Sequence, residues 1–247
     1  MSDTLNSKSP TVTLSIVSHG QSGLILQLLQ DIRNWSGAKF QIIVTHNIPE
    51  DSSYLSFFGD LGIYLIINDV PKGFGANHNA AFAKAKGDFF IVLNPDIRAN
   101  NLDLSPLVEA LKSQGIGACA PVVFSAEGKV EDSARRYPTL LRFFKRAFFG
   151  MRAADYVFSS KLTRVDWLAG MFVAFRSEVF KSVGCFDERY YMYLEDADLC
   201  RRIAQHGLDI VVVQECSVIH NARRASRTNL RHIRWHYRSA FRFLFGF

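Results

Sequence analysis

With 247 residues, 48% of them hydrophobic and 21% charged, the chain has the composition of a globular protein with a real core. No apolar stretch reaches the roughly 18–20 residues that span a bilayer, and the polar segment 1–10 lacks the apolar run of a signal peptide. A cytoplasmic protein with a short disordered lead is therefore expected. The net charge of +6 is unevenly placed: no acid follows Glu215, while Arg223, Arg224, Arg227, Arg231, Arg234, Arg238 and Arg242 all do, which points to an anionic partner.

Val12 to Ser18 reads as a buried strand, followed by a helix from Ser22, read as its N-cap, to about Trp35. Phe40 to Thr45 and Ile63 to Ile67 read as further strands. The loop Asn68–Gly75 opens a helix over about Ala76 to Lys86, and Phe89–Leu93, apolar throughout, reads as a strand buried on both faces. Strands alternating with helices predict an α/β fold with a doubly wound, mostly parallel sheet and flanking helices. The second half holds a basic, aromatic stretch from Ser133 to Arg152 and an apolar one from Val165 to Arg176. A helix through Tyr193–Arg202 and a strand at Ile210–Val213 follow. No linker separates the halves, so one domain over 11–222 is expected, extended by a basic helix over 223–247. Cys119, Cys185, Cys200 and Cys216 lack any paired spacing and read as buried free thiols.

Three features can carry chemistry. Asn94-Pro95-Asp96 closes the strand Phe89–Leu93, because Pro has no N–H for the ladder. Its carboxylate then lies at the carboxyl end of a core strand, where open α/β sheets bind ligands and where an acid suits a metal ion. Gly73 and Gly75 flank Phe74 at the start of a helix, where backbone can approach an anion; a tight turn accounts for them equally well. In Glu195-Asp196-Ala197-Asp198, helical spacing sets Asp196 beside the apolar Leu199, Cys200 and Ile203. Glu195, Asp198 and Arg202 share a neighbouring face and can pair. A carboxylate on the buried side suits a general base.

Taken together and in this order, these segments resemble family 2 glycosyltransferases of the GT-A fold. Within them the chain looks most like the rhamnosyltransferases that use dTDP-L-rhamnose in O-antigen assembly. The resemblance rests on Ser15–Gly20, Gly73–Asn79, Leu93–Asp96, Val165–Gly170, Gly184–Asp187 running on to Tyr191–Arg202, and Arg234–Arg242. It implies that Asp96 binds Mg²⁺ or Mn²⁺, with His220 completing the site, and that Asn94 replaces the first acid of the usual DxD motif. It implies Asp196 as catalytic base with Glu195 as its adjacent acid. It places Ser18, His46, Asn47, Gly73, Phe74, Gly75, Asn77, Asn79, Trp167 and Gly170 around the nucleotide sugar. His46 stands where the family usually has an Asp that bonds the pyrimidine, and a neutral imidazole nitrogen can accept that bond.

In the tail, Arg227, Arg231, Arg234, Arg238 and Arg242 recur every three or four residues beside Leu230, Ile233, Tyr237, Phe241, Leu244 and Phe245. That pattern suits the surface of an anionic membrane. Ser133–Arg152 repeats it with Arg135, Arg136, Arg142, Lys145 and Arg146 among Phe143, Phe144, Phe148 and Phe149. Both would seat the enzyme on the inner leaflet, beside an acceptor such as GlcNAc-diphospho-polyprenol. Packing of these aromatics on the domain is the competing reading. Two other classes are a nucleic-acid-binding module, which leaves Asp96, Asp196 and the glycine loop unexplained, and a non-catalytic relative, suggested by Asn94 and His46. Nucleic acid is not expected as a partner.

Overall fold

A computed structural model describes residues 11–139, 155–158, 160–221 and 230–246. The lead 1–10, Arg142 to Phe149, and Arg223, Arg224 and Arg227 lie outside the described residues.

The strands are β1 Thr11–Ser18, β2 Lys39–His46, β3 Tyr64–Ile67, β4 Phe89–Leu93, β5 Ile97–Arg98, β6 Ile116–Ser125, β7 Ala134–Arg135, β8 Leu162–Arg164, β9 Trp167–Leu168, β10 Phe172–Arg176 and β11 Asp209–His220. The helices are α1 Ser22–Ile32, α2 Phe74–Phe82, α3 Ser105–Lys112, α4 Ser177–Ser182, α5 Glu195–Gln205 and α6 Leu230–Phe245, with a 3-10 helix at Ser53–Leu61.

Among the described residues, nine strands form one sheet in the order β3-β2-β1-β4-β10-β6-β11-β5, with β8 also pairing β11. β1, β2, β3 and β4 are parallel, and β6 is parallel to β11, while β10, β5 and β8 run the other way. The mostly parallel α/β sheet is as the alternating pattern requires. β4 shows why its five apolar residues read so clearly: Phe89, Ile91 and Leu93 enter one core, and Phe90 and Val92 the other. The first core packs α1 and α3 on one face; the second packs α2, α4 and α5 on the other, with Ala240 and Phe243 of α6 joining it.

Several local expectations are corrected. Gln21, not Ser22, is the N-cap of α1, and no side chain caps it; the Ser18 hydroxyl instead accepts the Gln21 N–H at 3.0 Å. α2 starts at Phe74 because Gly73, in extended conformation, already serves as its N-cap. The apolar stretch Val165–Arg176 is two strands, and the second, β10, is antiparallel to β4.

This topology gathers one edge. Ser18 pairs with His46, and Ile16 with Leu93, so β1, β2 and β4 end together. β10 begins there, with Phe172 opposite Leu93. β11 ends on the same side, where His220 pairs with Ile97, the residue after Asp96.

Candidate active site

The strand-end acid meets its expected partner. His220 Nε2 lies 3.3 Å from Asp96 Oδ2, and His220 Nδ1 lies 2.7 Å from Glu131 Oε2. Burial opposes charge on this ring, but the bonds and charges of Asp96 and Glu131 outweigh it and push its pKa up to about 8. Asp96 Oδ1 is buried and has no partner. Asn94 is tied in by its backbone, its N–H reaching Met171 O at 2.8 Å.

Among the described residues no three metal-ligating side chains converge on one point, because Glu131 occupies the far ring nitrogen of His220. The set available to a cation is thus the open Asp96 oxygen, joined by His220 Nε2 only once that nitrogen gives up its proton and its contact with Asp96. It fits a hard divalent ion that takes its remaining ligands from phosphate and water, and the orphaned Asp96 oxygen is the observation that favours it.

Asp196 sits at the start of α5, where the first-turn acids meet the helix dipole. Its Oδ2 accepts the Gly170 N–H at 2.9 Å and its Oδ1 the Ala197 N–H at 2.8 Å. Burial raises its pKa, while these N–H donors and the charge of Arg135 pull it back. Glu195 is also buried, at 4% exposure, with Oε2 unpartnered. Burial first, and then the charge of Asp196, drive its pKa well above the usual carboxylate range. Of the two acids, Glu195 is the more strongly shifted, because Asp196 accepts the N–H groups of Gly170 and Ala197, which favour its charged form. Of the three residues expected to pair, Asp198 and Arg202 do, at 2.8 Å, and Asp198 also takes Arg201 at 2.8 Å, while Glu195 stays out of the ion pair.

The entry to α5 is strained. Tyr193 (φ 73°) and Leu194 (φ 64°) are consecutive non-glycine residues in the left-handed region. Such conformations cost about 1–3 kcal/mol each and persist only when their surroundings impose them.

The glycine loop works differently from the turn pattern alone. A Cβ on Gly73 would lie 2.6 Å from Tyr191 O, and one on Gly75 2.6 Å from Phe186 Cβ. Both glycines admit the chain's own segment 186–191, and the Phe74 N–H reaches Tyr191 O at 2.9 Å. Phe74 lies across Gly170, whose added Cβ would come 2.8 Å from Phe74 Cζ. Asn77, Asn47 and Asn68 form a buried amide chain: Asn68 Nδ2 donates to Asn47 Oδ1 at 3.0 Å and to Asn77 Oδ1 at 2.7 Å. Asn47 Oδ1 accepts the Lys72 N–H at 2.8 Å, and Asn77 Nδ2 donates to Gly73 O at 2.9 Å. Asn79 spends its amide on Phe186 and Glu188. These side chains hold the loop in place.

At the end of β2, His46 is fully enclosed, with Nε2 2.9 Å from the Tyr54 hydroxyl and Nδ1 unpartnered. Burial lowers its pKa against the pull of Glu50 and Asp51, keeping the ring neutral. Ser18 Oγ donates to Glu50 Oε2 at 2.9 Å. Trp167 is buried in the small β7–β9 sheet and donates its indole N–H to Arg136 O at 3.1 Å. The Arg135 guanidinium lies 5.2 Å from the Trp167 ring and 3.1 Å from Asp132, and that of Arg136 5.5 Å from Tyr156. Arg231, Arg234 and Arg238 are exposed on α6. Glu131, Asn68 and Glu50 belong to the site and carry no sequence signal, since each sits in a loop without a motif.

The sequence matches the family described as Glycosyltransferase like family 2 over residues 10–238. The chain belongs to that family. Among curated family 2 relatives, Rhamnosyltransferase WbbL of Escherichia coli (strain K12) is 32% identical over 94% of this chain and 92% of its own length. The N-acetylglucosaminyl-diphospho-decaprenol L-rhamnosyltransferase of Mycobacterium tuberculosis is 32% identical over 64% of this chain and 55% of its own. The solved structure of GalNAc-T7 with UDP, GalNAc and Mn²⁺ has a TM-score of 0.66 at 18% identity, covering 88% of this chain and 45% of that one. The fold is thus the expected GT-A glycosyltransferase fold, and the protein is a glycosyltransferase. Among the described residues no helix is long and apolar enough to cross a membrane.

Proposed function

We propose that the protein is an inverting rhamnosyltransferase that moves L-rhamnose from dTDP-L-rhamnose onto GlcNAc-diphospho-polyprenol at the inner face of the cytoplasmic membrane. One observation carries the chemistry: Asp196, a carboxylate raised in basicity by burial, is aimed by Gly170 N–H at the edge that also holds Asp96 and His220. The names of the two relatives supply the transferred sugar, and the second supplies the acceptor class.

The donor would lie along the gathered strand ends, with Gly73, Phe74, Asn94 and Gly170 at the sugar side, while the buried Ser18, His46 and Asn47 would shape the nucleoside side from beneath rather than touch the base. Asp96 and His220 would hold a divalent ion, Mg²⁺ or Mn²⁺, which when bound neutralises the diphosphate leaving group. Asp196 takes the proton of the acceptor hydroxyl as that oxygen bonds to the anomeric carbon. The bond from that carbon to the diphosphate breaks in the same displacement, so the centre inverts. One base suffices, unlike the carboxylate pair of a glycosidase. Arg135 opposes part of the rise in Asp196 basicity that burial causes.

The outer face of α6 supports seating on a membrane. Ile233, Tyr237, Phe241 and Phe245 are 41%, 72%, 57% and 50% exposed, and Arg234 and Arg238 are exposed beside them. Aromatic anchors flanked by arginines suit an anionic interface. The inner face packs on the domain through Ala240 and Phe243.

The reading is tested by the product: incubation with dTDP-L-rhamnose and a GlcNAc diphospholipid should yield a rhamnoside of opposite anomeric configuration to the donor. A retained configuration, or turnover only with a UDP- or GDP-sugar, overturns it. Co-sedimentation with anionic liposomes tests the membrane face, and absence of binding removes that part.

A further inference from the structure

The C-terminal helix does more than pack. Its inner face grips Tyr191, Met192 and Tyr193, on the way into α5. The Tyr193 hydroxyl lies 2.7 Å from His232 Nδ1, and Ser239 Oγ donates to Met192 O at 2.8 Å. The Tyr191 and Trp235 rings meet at a tilt of 38° with centroids 4.7 Å apart, and the His232 and Trp235 rings are 5.0 Å apart. At its far end the helix is tied to α5, where Arg201 Nη1 donates to Phe243 O at 3.0 Å and its guanidinium lies 4.2 Å from the Phe243 ring.

The residues entering α5 include Tyr193 and Leu194, both non-glycine in the left-handed region. Leu194, the N-cap of α5, makes no side-chain capping bond and is held by burial in the second core, while Tyr193 is bonded by His232 of α6. Such a conformation persists only when its surroundings impose it, and α6 supplies part of them. The loop also sets the other wall of the site, since Tyr191 O holds the Phe74 N–H and presses on Gly73.

We infer that α6 is a clasp for the catalytic loop, with His232 a positioning residue that acts through Tyr193 to aim Asp196. This rests on the assignment of Asp196 as base. The helix that presents its outer face to a membrane would then hold the base with its inner face, so that α6 links the surface where the lipid acceptor lies to the group that activates it.

The test uses the full chain with dTDP-L-rhamnose and a detergent-dispersed GlcNAc diphospholipid, so that membrane binding plays no part. His232→Ala and Tyr193→Phe should each lower kcat roughly 10-fold or more, the scale set by small misplacements of a reacting group. Donor KM and melting temperature should stay near wild type. Both changes break the Tyr193–His232 bond, so the double variant should lose clearly less than the sum of the two single losses. His232→Asn, which keeps a polar atom where Nδ1 lies, should recover most of the loss. Wild-type kcat in Tyr193→Phe and His232→Ala, or a lower kcat accompanied by a raised donor KM and a lowered melting temperature, overturns the clasp. Asp196→Asn reads the base separately: full turnover there overturns the base assignment, whereas loss there with wild-type Tyr193→Phe and His232→Ala overturns the clasp alone.

Discussion

Gly170 donates its backbone N–H to Asp196 Oδ2 at 2.9 Å while leaving no room for a side chain, since an added Cβ would sit 2.8 Å from Phe74 Cζ. The same residue therefore orients Asp196, the proposed base, and seats the Phe74 ring. Gly170→Ala should displace Phe74 and cut turnover roughly 10-fold or more. Combining it with Phe74→Leu, which removes the clashing ring end, should restore part of the loss. Steady-state kinetics of the three variants check this, and additive losses would contradict it.

Gly73 meets backbone, not a side-chain end: its added Cβ would lie 2.6 Å from Tyr191 O and 3.0 Å from Tyr191 Cα. Neither side can yield cheaply. Gly73→Ala should destabilise the protein by about 1–3 kcal/mol, the usual cost of overpacking, read as a lower denaturation midpoint. An unchanged midpoint would show that the loop and segment 186–191 are not rigidly apposed.

His78 gives the fold a pH dependence. It is fully buried under Phe74, bonds Ser15 Oγ through Nδ1 at 2.8 Å, and leaves Nε2 unpartnered. Burial lowers its pKa from 6.5 to about 3. The unfolded chain binds this proton below pH 6.5 and the folded one does not. Its contribution is thus fully present above that pH and is lost at about 1.4 kcal/mol per pH unit as the pH falls towards 3. His78→Asn keeps a partner for Ser15 and cannot titrate. Between pH 7 and pH 5, wild type should lose about 2 kcal/mol more unfolding free energy than this variant. Parallel profiles would contradict the account.

Asp96 can be tested without activity. A ligand of the native state raises the melting temperature according to its affinity. Mn²⁺ should enlarge the shift that dTDP gives wild type, and chelation should reverse the increment. Asp96→Ala should abolish the increment while sparing the metal-free shift. A Mn²⁺ increment that survives Asp96→Ala would move the metal elsewhere.

What could be read from the sequence follows from how local its causes are. β4 was legible because Phe89–Leu93 is apolar throughout and buried on both faces. Asp196 was legible because its helical neighbours Leu199, Cys200 and Ile203 are apolar and buried. α3 and β6 went unread: Gly117, Ala118, Cys119 and Ala120 dilute the strand pattern, and Gly117 is small because Ile203 presses on it. β11 runs past the expected Val213 to His220, because a register shift between Val213 and Ser217 carries the ladder across the polar Gln214 and Glu215. The purpose of Gly73 and Gly75 was invisible because Tyr191 and Phe186 lie more than a hundred residues away in sequence. Glu131 was missed for the same reason, meeting His220 across 89 positions.

The most direct measurement is turnover of dTDP-L-rhamnose on a GlcNAc diphospholipid by wild type and Asp196→Asn at equal donor saturation. The amide cannot take the hydroxyl proton, and a general base contributes roughly 10²–10⁴-fold, so kcat should fall by at least 100-fold with dTDP binding unchanged. Turnover by Asp196→Asn within a fewfold of wild type would contradict the account.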